Sequence, residues 1–445
     1  MPLSKKKLFF FGFTAIGVNI LKLIMATYLC NAVLTAGFDK NIENWTFISK
    51  DVVIAFAWGI IITLTKITTS VADFPFANFL DNLNSKLGRR KTGVLMGFVP
   101  MMAGFILFLF PPFGDNLLLN TIWLAFFINL FYWFYSCVML SYYASFAEIT
   151  RDDNDRRFLS NVKSVADVVY YVMGFALIPV LVGFINIRVI ALIFAPLALL
   201  IIAGIFMFKE NPDAPNAGEE RPKFFPSIAY ACKNKAYMLW MIVFAIMTFG
   251  IQLFLTGQSV FLSGTAKFTG GQISIINACA FGPVPLTIAL YNFVMKRKGF
   301  RFSFNYAMLA FVAGLGIITL LNVSTIPDGG LRFIMGIVGS LVCSFGIGTF
   351  FSVAYLIPSH VAAKEKEEKG YARPSMYFAV QGLVGASVTG LSTGFVWTSI
   401  IRDRGLTHLV MAITGVVLLL CCLSTLVLPK SIAHIGKVEK VKKYK

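Results

Sequence analysis

Charge is what this chain has least of. Only 13% of its 445 residues are Asp, Glu, Lys or Arg, against 57% that are hydrophobic, with a mean hydropathy of +0.76. That balance excludes an ordinary soluble globular domain, whose charged fraction is about 25%. Histidine is nearly absent, with three residues, and the seven cysteines (30, 137, 232, 279, 343, 421 and 422) have no metal-ligand spacing. A zinc site and a disulfide framework are therefore not expected. Also missing are a nucleophile–base pair, a glycine-rich phosphate loop and a long soluble segment, which argues against a membrane enzyme or a receptor.

What fills the chain is apolar sequence in long runs. Crossing about 30 Å of hydrocarbon at 1.5 Å per residue takes about 20 residues of helix. Twelve such runs are present, near 8–35, 52–80, 92–111, 118–144, 161–184, 187–208, 236–260, 271–295, 303–323, 330–357, 375–400 and 405–428. The fold class expected is an all-α membrane protein with twelve transmembrane helices. The first run follows Lys5, Lys6 and Lys7, is too long for a signal-peptide core and lacks a small-residue cleavage site, so it reads as a retained helix.

The formal net charge of +18 is not a nucleic-acid signature, because its placement follows the helices. With both termini cytoplasmic, that side carries 30 Lys and Arg and the other side seven, Arg402 among the latter, while Lys22 and Lys66 fall within helices. This asymmetry sets orientation and fits an even number of spans. Inner-leaflet anionic lipid is the partner expected for the basic surface and for the tail KSIAHIGKVEKVKKYK.

Between the sixth and seventh runs lies FKENPDAPNAGEERPKFFPSIAYACKNK, polar and without an apolar face for a soluble domain. The expected organisation is therefore a six-helix bundle at 1–208, a cytoplasmic link at 209–235, a second bundle at 236–429 and a basic tail at 430–445. Basic loops echo one another, SKLGRRK after helix 2 and MKRKGFRF after helix 8, as a duplicated architecture would have them.

A few ionisable residues interrupt the apolar runs. In KITTSVADFPF, Lys66, Thr69, Ser70 and Asp73 stand at i, i+3, i+4 and i+7, on one helical face. A charge at mid-bilayer costs at least about 2.5–3.5 kcal/mol, so that face should border a cavity or a partner. Asp73 and Asp167 are the two acidic residues well inside helices, against Lys22 and Lys66. The four can form a structural network of ion pairs, or part of a site for a coupling ion or a substrate. Substrate contacts are sought on helix 4, where FYWFYSCVMLSYY offers Tyr132, Trp133, Tyr135 and Tyr142, and on helix 11, with Gln381 and Trp397. Such rings stack on sugars, but equally serve packing or an interfacial belt. Loop charges Asp81, Arg89 and Arg90, and Glu148, Asp152, Arg156 and Arg157, are placed to make ion pairs that differ between access states, or simply to stay wet.

Three segments resemble the melibiose-permease-like branch of the major facilitator superfamily, the glycoside–pentoside–hexuronide cation symporters. They are DNLNSKLGRRK (81–91), YYASFAEITRDDNDRRFLSNVKS (142–164) and YLIPSHVAAKEKEEKGYARPSMYFAVQ (355–381), which lie in both halves of the chain. The resemblance implies two six-helix bundles and alternating-access transport of a sugar or glycoside. It also implies two helix 2 carboxylates, with a basic residue one turn earlier, as a cation site. Here Lys66 takes the basic position and Asp73 the second carboxylate, but Thr69 stands at the first, and Asn19 replaces a sugar-contacting Asp on helix 1. A helix 5 arginine position falls at Ser164, beside Lys163. One carboxylate with hydroxyls and a nearby ammonium makes a poor sodium cage. The expectation is a monomeric, sodium-independent or proton-coupled secondary transporter of a small polar solute in the plasma membrane, as in a bacterial cytoplasmic membrane, without a cofactor. The alternative is a carrier of lipid, lysophospholipid or another amphiphile.

Overall fold

A computed structural model describes residues 3–39, 41–83, 85–149, 153–208, 232–369 and 374–435. The polar link at 209–231 and the tail from 436 on lie outside them. Every regular element among the described residues is a helix, with no strand among them. Twelve helices are long and apolar enough to cross a membrane: α1 Lys5–Ala32, α2 Ala55–Asp73, α3 Arg89–Phe108, α4 Leu117–Phe146, α5 Val165–Val182, α6 Ile187–Ile205, α7 Lys235–Thr265, α8 Gly270–Lys298, α9 Phe300–Thr319, α10 Gly329–Pro358, α11 Val380–Arg402 and α12 Thr407–Val427. Each falls on one of the apolar runs read from the sequence. Several helices continue past the apolar span into polar sequence, as in Ala55–Asn82, Leu117–Ile149, Asp153–Val172 and Gly329–Lys369.

The chain clusters into two compact units. One comprises Met1–Arg221 with Thr269–Ser274 and Gly394–Asp403; the other comprises Pro222–Phe268, Ile275–Thr393 and Arg404–Lys445. In the first, α1 packs on α5 and α6, α2 on α4, and α3 on α4. In the second, α7 packs on α11 and α12, α8 on α10, and α9 on α10. The second set repeats the first six helices on, which is the structural counterpart of the echoed basic loops.

Lipid tails are as apolar as leucine, so close van der Waals contact at small residues, rather than water release, brings such helices together. Gly104 on α3 and Gly314 on α9 show this at matching places. A Cβ on Gly104 would lie 2.7 Å from the backbone nitrogen of Phe131 on α4, and one on Gly314 2.6 Å from the carbonyl oxygen of Gly339 on α10. Neither backbone can retreat without opening its helix pair. The outward faces, by contrast, carry large exposed apolar side chains such as Val99, Phe126, Ile193, Leu286, Leu423 and Leu426, suited to acyl chains.

Candidate functional site

The polar face of α2 turns toward α4, and Ser70 on it is buried. Thr69 Oγ1 donates to the carbonyl of Thr65 at 2.6 Å, a bond within the helix that leaves its own lone pairs available. Lys66 and Asp73 share this face without pairing. They are two turns apart, about 10 Å along the axis, which a lysine side chain running toward α4 does not span. Instead Lys66 Nζ stands over the ring of Tyr132, 3.7 Å from its centroid. Ser136 on α4 lies beside the Asp73 carboxylate, whose Oδ1 is buried without a hydrogen-bond partner.

The same face of α4 receives α1. Asn19 and Lys22 are one turn apart on α1, and both meet Tyr135 of α4. The hydroxyl of Tyr135 donates to Asn19 Oδ1 at 2.9 Å, and Lys22 Nζ lies over the Tyr135 ring, 4.7 Å from its centroid. Two ammonium groups from different helices are thus seated on neighbouring tyrosine rings. A desolvated contact of this kind is worth about 2 kcal/mol.

From the helix that leads into α5, Lys163 makes an ion pair with Asp167 one turn on. Lys163 is buried, whereas the Asp167 side chain is 39% exposed. The four-residue network read from the sequence is therefore a five-residue one with different partners. Lys163, counted there among cytoplasmic loop charges, occupies Asp167, and Lys22 acts electrostatically on Lys66, Asp73 and Asp167. The Lys–Asp spacing of four was visible in the sequence and is the signal that would have found the pair. Counting Lys22, Lys66 and Lys163 against Asp73 and Asp167, the cluster has one cation in excess. Among the described residues no group of three or more His, Cys, Asp or Glu is placed to hold a metal ion.

The remaining candidates scatter. Trp133 is 38% exposed on the far side of α4 from the two tyrosine rings. Tyr142 is buried, stacks on Phe11 with centroids 5.0 Å apart, and donates to the Phe11 carbonyl at 2.8 Å, a tie between α1 and α4. Gln381, in the second unit, donates to the Ala354 carbonyl at 2.6 Å and accepts from Trp240 at 3.2 Å. Trp397, in the first unit, donates to Asn31 Oδ1 at 2.9 Å. Arg89 and Arg90 open α3, half-buried, behind Gly88, whose φ of 94° turns the chain into the helix. Asp152 lies outside the described residues, as do the side chains of Asp81, Glu148, Arg156 and Arg157.

Two polar groups escaped the sequence reading. Arg402, assigned to an outer loop, is 1% exposed. Its guanidinium donates to the carbonyls of Asn31 at 2.8 Å, Leu34 at 2.6 Å and Ala36 at 2.7 Å, and to Asn31 Oδ1 at 2.9 Å. Asn31 lies in the last turn of α1, and Leu34 and Ala36 in the segment just past it, so the cation sits at the negative pole of the helix. In the second unit Gln258 donates to Asn277, both fully buried. A lone Gln or Asn in an apolar run gives no periodic signal to find it by.

The profile of the MFS/sugar transport protein family matches residues 10–428. No functionally curated protein matches the chain. Among solved structures, the nucleoside transporter NupG is similar at a TM-score of 0.65 and 13% identity, over 96% of this chain and 99% of that one. A POT family transporter in complex with a thioalcohol-conjugated peptide is similar at 0.63 and 13% identity, over 95% of each chain. A bacterial homolog of the human lysosomal transporter Spinster, inward-facing and unoccupied, is similar at 0.60 and 13% identity, over 95% of this chain and 98% of that one. At such identities the likeness is one of fold, and the family rests on the sequence match across nearly the whole chain. With twelve membrane-crossing helices, paired in the same way in each half, and a profile match from residue 10 to 428, the chain belongs to the MFS/sugar transport protein family.

Proposed function

We propose that the chain is a plasma-membrane carrier of a small polar solute of the glycoside or sugar class, sodium-independent and driven by protons, with its solute site on the α1–α2–α4–α5 cluster. Secondary transport and the multi-pass membrane location come with the family. The finer reading rests on one observation: charged and hydrogen-bonding side chains of α1 and α2 meet Tyr132 and Tyr135 of α4 inside apolar spans, with Asp167 of α5 near enough to interact electrostatically with Tyr135. Ionisable groups at such depth are expensive, and buried ion pairs are poor stabilisers, so their retention favours a functional role.

The parts suit a hydroxylated solute. Asn19 offers an amide, and Thr69 and Ser70 offer hydroxyls. Asp73 is the single carboxylate of the α2 face, so a sodium cage there would lack ligands and negative charge. A proton needs only one carboxylate, and Asp73 and Asp167 are the groups to carry it. The excess of basic residues in the loops supports both termini being cytoplasmic.

The test is uptake into proteoliposomes of a labelled glycoside panel under a proton gradient, a sodium gradient or neither. Proton-driven, sodium-indifferent uptake is expected. Sodium-driven uptake would overturn the coupling assignment, and no glycoside uptake under any gradient would overturn the substrate class.

A further inference from the structure

We propose that Lys66 and Tyr132 form a binding site for one small anionic group, a carboxylate-sized or halide-sized anion, so that what occupies this cluster carries a negative charge or is accompanied by one. The inference rests on the reading of the cluster as the solute site and narrows what that site accepts.

Two separate observations carry it. The first is Lys66. No carboxylate among the described residues is within ion-pairing distance of its Nζ, which stands against the π face of Tyr132 and interacts electrostatically with Lys22 and Cys30. A ring face compensates an ammonium only in part, and it leaves the N–H bonds that point away from the ring open to an acceptor. The second is Tyr132. Its residue is 2% exposed, and its hydroxyl is buried with no hydrogen-bond partner. A buried phenol hydroxyl in an apolar span is normally satisfied, because the unpaired donor costs about 1–3 kcal/mol.

Both groups are donors, and they belong to side chains in contact. One acceptor with negative charge, placed beside the ring edge, would receive N–H from Lys66 and O–H from Tyr132 together. A neutral hydroxyl would satisfy the phenol and leave the ammonium uncompensated. Asp167 is taken by Lys163, so the cluster's excess positive charge falls on the side where Lys22 and Lys66 lie. A bound anion would bring the cluster to neutrality, which a low-dielectric interior favours.

The anionic group has two possible sources, a free inorganic anion or a carboxylate on the solute, and one experiment separates them. The thermal unfolding midpoint of the purified full chain in lipid nanodiscs is titrated with sodium chloride against sodium sulfate at matched ionic strength. It is then titrated with carboxylate-bearing and neutral members of a monosaccharide series. Saturable stabilisation by chloride but not sulfate identifies a free anion. Stabilisation by the carboxylate-bearing members alone identifies a solute acid. In either case the apparent affinity should fall at least tenfold in Lys66→Gln and several-fold in Tyr132→Phe, and recover partly in Lys66→Arg. If neither chloride nor any carboxylate shifts the wild-type midpoint, or if Lys66→Gln binds the anion as tightly as wild type, the proposal is wrong. That outcome leaves the transporter reading intact when a neutral glycoside is still taken up. Anion binding without uptake of any solute would instead count against the proposed function.

Discussion

Lys66 Nζ stands 3.7 Å from the centre of the Tyr132 ring, on the side of α2 where Asp73 lies two turns further on and does not reach it. The cation at the heart of the first unit is thus held by an aromatic face from the neighbouring helix. This fixes which substitutions its environment tolerates.

Tyr132→Leu should lower the unfolding midpoint clearly, since it leaves the Lys66 ammonium against an aliphatic surface, whereas Tyr132→Phe keeps the ring face and removes an unpaired hydroxyl, so it should be neutral or stabilising. In a double-mutant cycle with Lys66→Met, the coupling should be about 1–2 kcal/mol. A cycle that closes to zero would show that the contact contributes nothing.

Breaking the Lys163–Asp167 pair from one side should cost more than removing it from both. Lys163→Met leaves a carboxylate without its partner, while Lys163→Met combined with Asp167→Asn removes the charge as well as the pair. The double variant should therefore unfold at a higher temperature than the single one. The reverse order would mean that Asp167 is solvated well enough to need no partner.

Asp73→Asn should abolish proton-driven accumulation while leaving solute exchange down its own gradient. Asp73 is the sole carboxylate on the α2 face, and an amide there cannot take up a coupling proton. Counterflow and gradient-driven uptake, measured on the same proteoliposomes, separate the two. Accumulation that persists in Asp73→Asn would shift the role to Asp167.

Arg402→Lys should be almost as damaging as Arg402→Leu. The guanidinium makes four hydrogen bonds to acceptors at Asn31, Leu34 and Ala36, and an ammonium has neither the number nor the planar spread of donors to replace them. Each variant should lose several kcal/mol of stability in thermal or denaturant unfolding. A Lys variant as stable as wild type would show that charge alone, not the fork of donors, holds the end of α1.

Gly104→Leu and Gly314→Leu should behave alike, each forcing apart the helix pair it sits in, α3 from α4 and α9 from α10. Reduced yield and a lowered midpoint are expected in both. Tolerance at one position but not the other would show that the two units do not pack by the same rule.

Much of this protein was legible in its sequence, for physical reasons that act along the chain. Hydrocarbon has no hydrogen bonds to offer, so every crossing segment must be an apolar helix of about the same length, and twelve such runs identify twelve helices. The internal echo of basic loops, and the segments at 81–91, 142–164 and 355–381, carried the family. Helical periodicity placed Lys66, Thr69, Ser70 and Asp73 on one face correctly. What it left open was the partner of each, because a partner is chosen across helices. Lys66 and Asp73, facing alike, looked able to compensate one another, yet the lysine reaches Tyr132 and the serine that meets Asp73 comes from α4. Lys163 and Arg402 were read as loop charges, since a charge at the end of an apolar run looks the same whether it meets water or a neighbour. Only the packing of α1 against the end of α11, and of α5 within its bundle, buried them. The membrane's demand on each segment is written locally; the pairing of its few polar groups exists only once the helices have come together.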